Sequence, residues 1–265
     1  MVTVLVTDEE VAAERECMVL GSPAPASIDG GFAFHGRPAG LVVDPAGSLY
    51  VSDATSRTVR RVGNGGAPAV VAGPASGISG TAGRRVLSPV GLALAGDGSI
   101  LVADTTGHRI WAVSPAGWLR LVAGSVYGYR NGPGAEAQFR FPSGVAIGPD
   151  GTCYVADTGS DRISTITPDG LVATLAGSPP GGDRDGAGVE VRLCWPTGLS
   201  LGGDGDLWVA DHGNGALRRI DRFGASTTHL RLSGRHWPVA VARAPDGAVI
   251  VAVGVLDDLR RPRRA

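Results

Sequence analysis

The chain contains no lysine: all 24 of its basic residues are arginine, set against 25 acidic residues for a net charge of −1. A biased coding composition accounts for the arginine, and the near balance excludes the strong positive excess that phosphate backbones require. Only three cysteines occur, Cys17, Cys153 and Cys194. Their odd number and irregular spacing exclude a disulfide framework and match no metal-ligand pattern. Cys153 lies in an apolar stretch, Thr152-Cys153-Tyr154-Val155, as a small core residue would. No hydrophobic run approaches the ~18 residues of a membrane-spanning helix. The opening MVTVLVTDEE is too short in its apolar part for a signal-peptide core and lacks a basic start. A soluble, cytoplasmic protein is therefore expected. Helical periodicity is missing almost everywhere, residues 8–16 being the one stretch with helical character.

Glycine and proline are plentiful instead. Glycine accounts for 42 of 265 residues, roughly twice the ~7% of average usage. It punctuates the chain evenly and does not gather in one linker, the mark of many short strands joined by tight turns. Five segments align on a proline: Pro38-Ala39-Gly40-Leu41, Pro89-Val90-Gly91-Leu92, Pro142-Ser143-Gly144-Val145, Pro196-Thr197-Gly198-Leu199 and Pro238-Val239-Ala240-Val241. Fifteen residues after each of the first four prolines stands an aspartate, Asp53, Asp104, Asp157 and Asp211; in the fifth unit the same offset holds Val253. A period of about fifty residues at constant offsets is the signature of a repeat architecture.

Each unit reads as four strands. In the third, an apolar strand at Gly144-Val145-Ala146-Ile147 meets the turn Pro149-Asp150-Gly151, whose glycine supplies the positive φ of a tight hairpin. The second strand is Cys153-Tyr154-Val155-Ala156-Asp157 and the third Arg162-Ile163-Ser164-Thr165-Ile166. Thr167-Pro168-Asp169-Gly170 turns the chain into a fourth, residues 171–177. Such a meander cannot bury both faces alone, whereas radial stacking of several buries them between neighbours. The stretch PSGVAIGPDGTCYVADTGSDRISTITPDGLVATLAG (142–177) resembles the NHL repeat, whose propellers are usually six-bladed. The resemblance covers nearly the whole chain, is weak in the unit at Pro238, and implies an all-β propeller of four-stranded antiparallel blades. It implies little about function, because propellers host many chemistries.

The whole chain, 1–265, is expected to be one domain with blade units starting near 38, 89, 142, 196 and 238. The last unit supplies only two convincing strands. Val2–Val6 and Cys17-Met18-Val19-Leu20-Gly21 offer the missing two, so the termini are expected to share one blade. Residues 257–265 read as a basic tail. Five blades result; a six-bladed relative with one blade absent is the alternative.

Strand order places the first-to-second and third-to-fourth turns on one face. Long insertions between units (22–37, 74–88, 125–141 and 178–195) fall on the other. A partner-binding surface is expected on this insertion face, at Tyr127, Tyr129, Arg130, Arg140, Trp195, His212 and Trp237. Tyr127 and Tyr129 have no counterparts in the other insertions, His212 replaces the threonine of Thr105 and Thr158, and the arginines could engage an acidic group. Asp53, Asp104, Asp157 and Asp211 read as structural residues that accept backbone N–H bonds in the following loop. Arg109 and Arg162, five residues after their aspartates, read as their ion-pair partners. Asp204-Gly205-Asp206 reads as a turn and not as a calcium site.

These features favour a binding or scaffold propeller that recognises a protein or peptide. The alternative is a metal-dependent lyase- or lactonase-like enzyme with its site at the channel mouth, and a small-molecule ligand fits that reading. The inner strands contribute no histidine or carboxylate, and no nucleophile–base pair stands at a recognisable spacing. No catalytic residue, metal ligand or cofactor is therefore assigned. The insertion face carries eleven arginines against ten acids, which is no nucleic-acid footprint.

Overall fold

A computed structural model describes residues 2–7, 18–19, 38–63, 69–73, 85–233, 236–244 and 247–255. The helical stretch expected at 8–16, Cys17 and the basic tail lie outside them. The described strands form five antiparallel sheets, each a four-stranded meander at its core. The first blade comprises Pro38–Val43, Leu49–Asp53, Thr58–Val62 and Ala69–Ala72. The second comprises Pro89–Leu94, Ile100–Asp104, Arg109–Val113 and Leu119–Ala123. The third comprises Pro142–Ile147, Cys153–Asp157, Arg162–Ile166 and Leu171–Gly177. Pro196–Leu201, Leu207–Asp211, Ala216–Ile220 and Ala225–Arg231 make the fourth.

The fifth blade joins the two ends of the chain. His236–Arg243 pairs with Val249–Val255, which pairs with Val2–Thr7, which pairs with Met18–Val19. The termini thus share one sheet, and the third and fourth strands of that blade come from the N-terminal end. Pairing the last long strand in this way removes an edge that would otherwise recruit other chains.

The blades pack face to face through residues that alternate along the strands. Leu101, Ala103 and Ile110 of the second blade meet Val145, Val155 and Ile166 of the third. Ala156 and Ile163 of the third meet Leu199, Val209 and Ile220 of the fourth. Full burial of each of the larger side chains is worth about 1.5–3 kcal/mol. Near the axis the inner strands approach so closely that only glycine fits two residues after the repeat proline. A Cβ on Gly91 would overlap the Ser143 carbonyl oxygen, and one on Gly144 the Thr197 carbonyl oxygen. The fifth blade has alanine at this position, and Ala240 is exposed. At the other end of the row Leu41 is 62% exposed, whereas its equivalents Leu92, Val145, Leu199 and Val241 are 8% exposed or less. Among the described residues, the first blade is thus exposed at Leu41 and Val43 on the side away from the second.

Candidate functional site

Two of the insertions fold as short hairpins wedged between blades. In 125–141 the main chains of Arg130 and Gln138 bond to each other, and Ala137 and Phe139 are fully buried. In 178–195 Arg184 and Arg192 pair in the same way, with Val191 and Leu193 fully buried. Each hairpin also lays a two-residue strand on the outer edge of the blade it precedes, Gly132–Pro133 on the third and Gly186–Ala187 on the fourth. These bonds give partners to edge groups.

The repeated aspartates anchor these insertions from inside. Asp157 accepts a 2.6 Å bond from the Arg140 main chain, and Asp211 a 2.8 Å bond from that of Cys194. Asp104 accepts from Leu87 and Ser88. The sequence placed the donors to these carboxylates in the loop that follows each aspartate. That holds for Asp53, which caps Thr55 and Ser56, and for the Gly107 N–H on Asp104. The larger role is the link back to the preceding insertion, because the strand ends where that insertion returns to the blade.

Arg162 is completely buried. Its Nε donates to Asp157 at 2.7 Å, and its Nη1 to Asn131 at 2.7 Å and to Thr174 at 2.9 Å. Arg109 differs: its guanidinium donates to the Gly107 carbonyl at 3.0 Å, and the Trp111 indole N–H reaches Asp104 at 3.2 Å in its place. In the fourth blade the arginine is Arg218, seven residues after its aspartate. It bonds Asp211, Asp185 and Asp183 while fully buried. The strand register explains both spacings. Arg162 lies opposite Asp157, and Arg218 lies opposite Val209, two residues before Asp211 on the same face. Burial pushes the Asp157 and Asp211 carboxyls up, against the guanidinium and N–H donors that favour the charged form.

At the surface the 125–141 insertion builds a cluster of rings. Tyr127, His108 and Phe141 meet edge to face, with centroids 5.0–5.6 Å apart, a favoured aromatic geometry. The Arg140 guanidinium lies 5.2 Å from the centre of the Tyr127 ring. Tyr127 is 53% exposed and Phe141 43%. The Phe141 N–H donates to His108 Nδ1 at 3.3 Å, so that nitrogen carries no proton. Burial, the largest influence, lowers the His108 pKa. The sequence puts His108 in a loop on the insertion face, but neither it nor Phe141 was among the residues of the expected partner surface. The signal for Phe141 was its place before a repeat proline: Phe141 and Trp195 occupy equivalent positions, both in the left-handed region with φ of 49° and 51°. Such backbone is uncommon for bulky residues.

The remaining expected residues are spread over the same face. Tyr129 lies 4.0 Å over the buried Arg162 guanidinium. Arg130 faces Glu136 at 3.5 Å in an exposed pair. Trp195 is 47% exposed, and its main-chain N–H donates to Asp161 at 2.9 Å. His212 Nδ1 contacts the Pro238 carbonyl at 3.1 Å, the inter-blade contact that Thr105 makes to Pro142 and Thr158 to Pro196. Trp237 lies 6.1 Å from His212, ring to ring. Tyr127 and Arg140 thus join one cluster, whereas His212 and Trp237 form a separate pair between the fourth and fifth blades. On the opposite face, Asp204 and Asp206 both pair with Arg219.

An open cavity of about 350 Å³ runs across the inner strands and is lined by Leu41, Leu92, Val145, Leu199 and Val241 with inner-strand backbone. Among the described residues, no group of three or more histidine, cysteine or carboxylate side chains could hold a metal ion. No helix among them is long and apolar enough to cross a membrane.

The profile of the NHL repeat matches residues 87–112 and 193–220. Virginiamycin B lyase of Nocardia farcinica is 31% identical over 238 residues, covering 81% of this chain and 77% of the lyase. Protein SUPPRESSOR OF QUENCHING 1 of Arabidopsis thaliana is 33% identical over 145 residues. That match takes in 50% of this chain but only 14% of the plant protein's length. Among solved structures, a chain of the nidogen/laminin complex superposes with a TM-score of 0.57 at 21% identity. It covers 80% of this chain and 70% of that one, a likeness of fold. With its four-stranded blades, its constant proline-to-aspartate offset and this kinship, the chain belongs to the NHL-repeat β-propeller family.

Proposed function

We propose that the protein is a binding propeller that recognises a protein or peptide on its insertion face, with Tyr127, Phe141 and Arg140 at the centre of the contact. The observation that carries this reading is the exposed ring cluster itself. Tyrosine and arginine dominate the energetics of protein interfaces, and rings held by neighbouring rings lose little freedom on binding. The hairpin that presents them is fastened from beneath by Arg162, which donates to Asn131 of the hairpin, and by Asp157, which accepts from the Arg140 main chain, so the surface is preformed. Support from relatives is of the same kind: a neighbour of the same fold was solved in a complex of two proteins.

The experiment is affinity selection of peptides from a random displayed library on the immobilised protein, followed by Kd measurement on Tyr127→Ala and on Phe223→Ala. Phe223 is exposed on the opposite face. Loss of ten-fold or more in affinity for Tyr127→Ala alone supports the reading. Equal affinities for wild type and Tyr127→Ala overturn it.

A second reading is a propeller enzyme, favoured by the 31% identity to virginiamycin B lyase. His108 and His212 would be its acid–base candidates, since each engages one ring nitrogen through Nδ1 and keeps Nε2 for a substrate. Metal analysis of the purified protein, together with turnover of virginiamycin B by wild type and His212→Ala, tests it.

A further inference from the structure

We infer that the cleft between the second and third blades, on the face of the tight turns, is a site for a small ligand with an aromatic ring and an anionic group. It lies on the face opposite the ring cluster and does not depend on the binding reading above. Its volume is about 740 Å³, within the usual span of small-molecule sites.

The argument comes from the repeat. In each of the first four blades one cross-strand row points toward the following blade near the turn face. In the first blade that row runs Val42, Tyr50, Arg61, Ala69. In the third it runs Ala146, Tyr154, Thr165, Ala173. In the fourth it runs Ser200, Trp208, Arg219, Thr227. An aromatic ring on the second strand therefore fills the space where adjacent sheets diverge, and in the first and fourth blades an arginine lies beside it on the third. The second blade departs from these three, with Ala93, Leu101, Ala112 and Arg120; the fifth also has an aliphatic residue, Ile250, at the second-strand place. In the second blade the aromatic ring is gone, alanine stands at the third-strand position, and the guanidinium has moved one strand outward. The cleft is the space that these substitutions leave.

The opposite wall is apolar. Cys153 and Ile166 of the third blade line it, and burial pushes the Cys153 thiol up to about 12, so it serves as filler and not as a nucleophile. The rim holds Arg120, Asp97 and Asp169. Both carboxylates are engaged in their own turns, Asp97 by the Ser99 N–H and hydroxyl and Asp169 by the Thr167 hydroxyl. Arg120 is exposed on the outer strand and lines the cleft, near enough to Asp97 for its charge to help hold that carboxyl down. A ligand ring would take the volume that Tyr50, Tyr154 and Trp208 fill elsewhere, and its anionic group would meet Arg120 in a charge-assisted contact.

The test uses the whole chain and three probes, 3-phenylpropionate, 3-phenylpropan-1-ol and 2-phenylethylamine, titrated by ligand-observed NMR. The acid is expected to saturate with a Kd on the order of 1 mM. Arg120→Gln should weaken the acid by about ten-fold and leave the alcohol unchanged. Ala112→Arg, which copies the first and fourth blades, and Leu101→Tyr, which copies the first and third, should each abolish binding of all three probes while keeping the melting temperature. If a filling variant fails to fold, Arg120→Gln decides alone. Absence of saturation by the acid, an amine that binds as tightly as the acid, binding that survives filling of the cleft, or an acid affinity indifferent to Arg120→Gln each overturns the proposal.

Discussion

The ring of Tyr129 lies 4.0 Å over the guanidinium of Arg162, and that guanidinium, with none of its side chain exposed, donates to Asp157 at 2.7 Å. One residue of the insertion thus covers an ion pair that fixes the end of the blade's second strand. Removing the guanidinium leaves a buried carboxylate with one backbone donor. Arg162→Met is expected to destabilise the protein by about 3–5 kcal/mol. The double variant Asp157→Asn, Arg162→Met should recover a substantial part of that loss, because it removes the uncompensated charge. Chemical denaturation of the three proteins checks both statements.

Tyr127 and Tyr129 are two residues apart and should behave differently. Tyr129→Ala uncovers the Arg162 network and should lower the melting temperature by several degrees, a loss on the order of 1 kcal/mol. Tyr127→Ala removes a half-exposed ring from the surface cluster and should change stability by about 0.5 kcal/mol or less. Paired thermal melts distinguish them.

Close packing at the axis makes a second contrast. Gly144→Ala forces a methyl group into the Thr197 carbonyl and should cost about 1–3 kcal/mol, the usual range for overpacking. Ala240→Gly changes an exposed position and should cost under about 1 kcal/mol, through backbone entropy alone. Urea midpoints with unchanged slopes would establish the difference.

His108 gives the protein an acid-sensitive element. Burial and then the charge on Arg109 lower its pKa, while Asp104 pulls it up; the net direction is down. Between the folded value and the ordinary ~6.5 of an unfolded chain, the unfolded state binds more protons. Stability from this group is therefore complete above pH ~6.5 and falls as the pH drops toward the folded value. In His108→Phe this part of the fall between pH 7 and 5 should vanish. Denaturation midpoints of both proteins over that interval measure it.

Most of the fold was legible because its signals are local. A proline, a glycine two residues on and an aspartate at fifteen each have a physical task within one blade, and those tasks recur. The sharing of a blade by the two termini was legible from incomplete strand counts. The Arg162 pair was readable because its partners stand directly across a hairpin. Arg218 was not, since its spacing of seven suggests no link until the register places it on the same face as Asp211. The grouping of Phe141 and His108 with Tyr127 was not legible, because a surface cluster depends on how a hairpin from one insertion leans on the loop of another blade. The widened cleft was also silent: Leu101 and Ala112 look like ordinary core residues until they are aligned with Tyr50 and Arg61.

Amide hydrogen exchange with and without a selected peptide tests the binding account most directly. The account predicts slowed exchange in residues 125–141 and in the loop around His108, with no change in the turns at 95–99, 114–118 and 167–171. Protection confined to those turns, with the insertion unaffected, would contradict it.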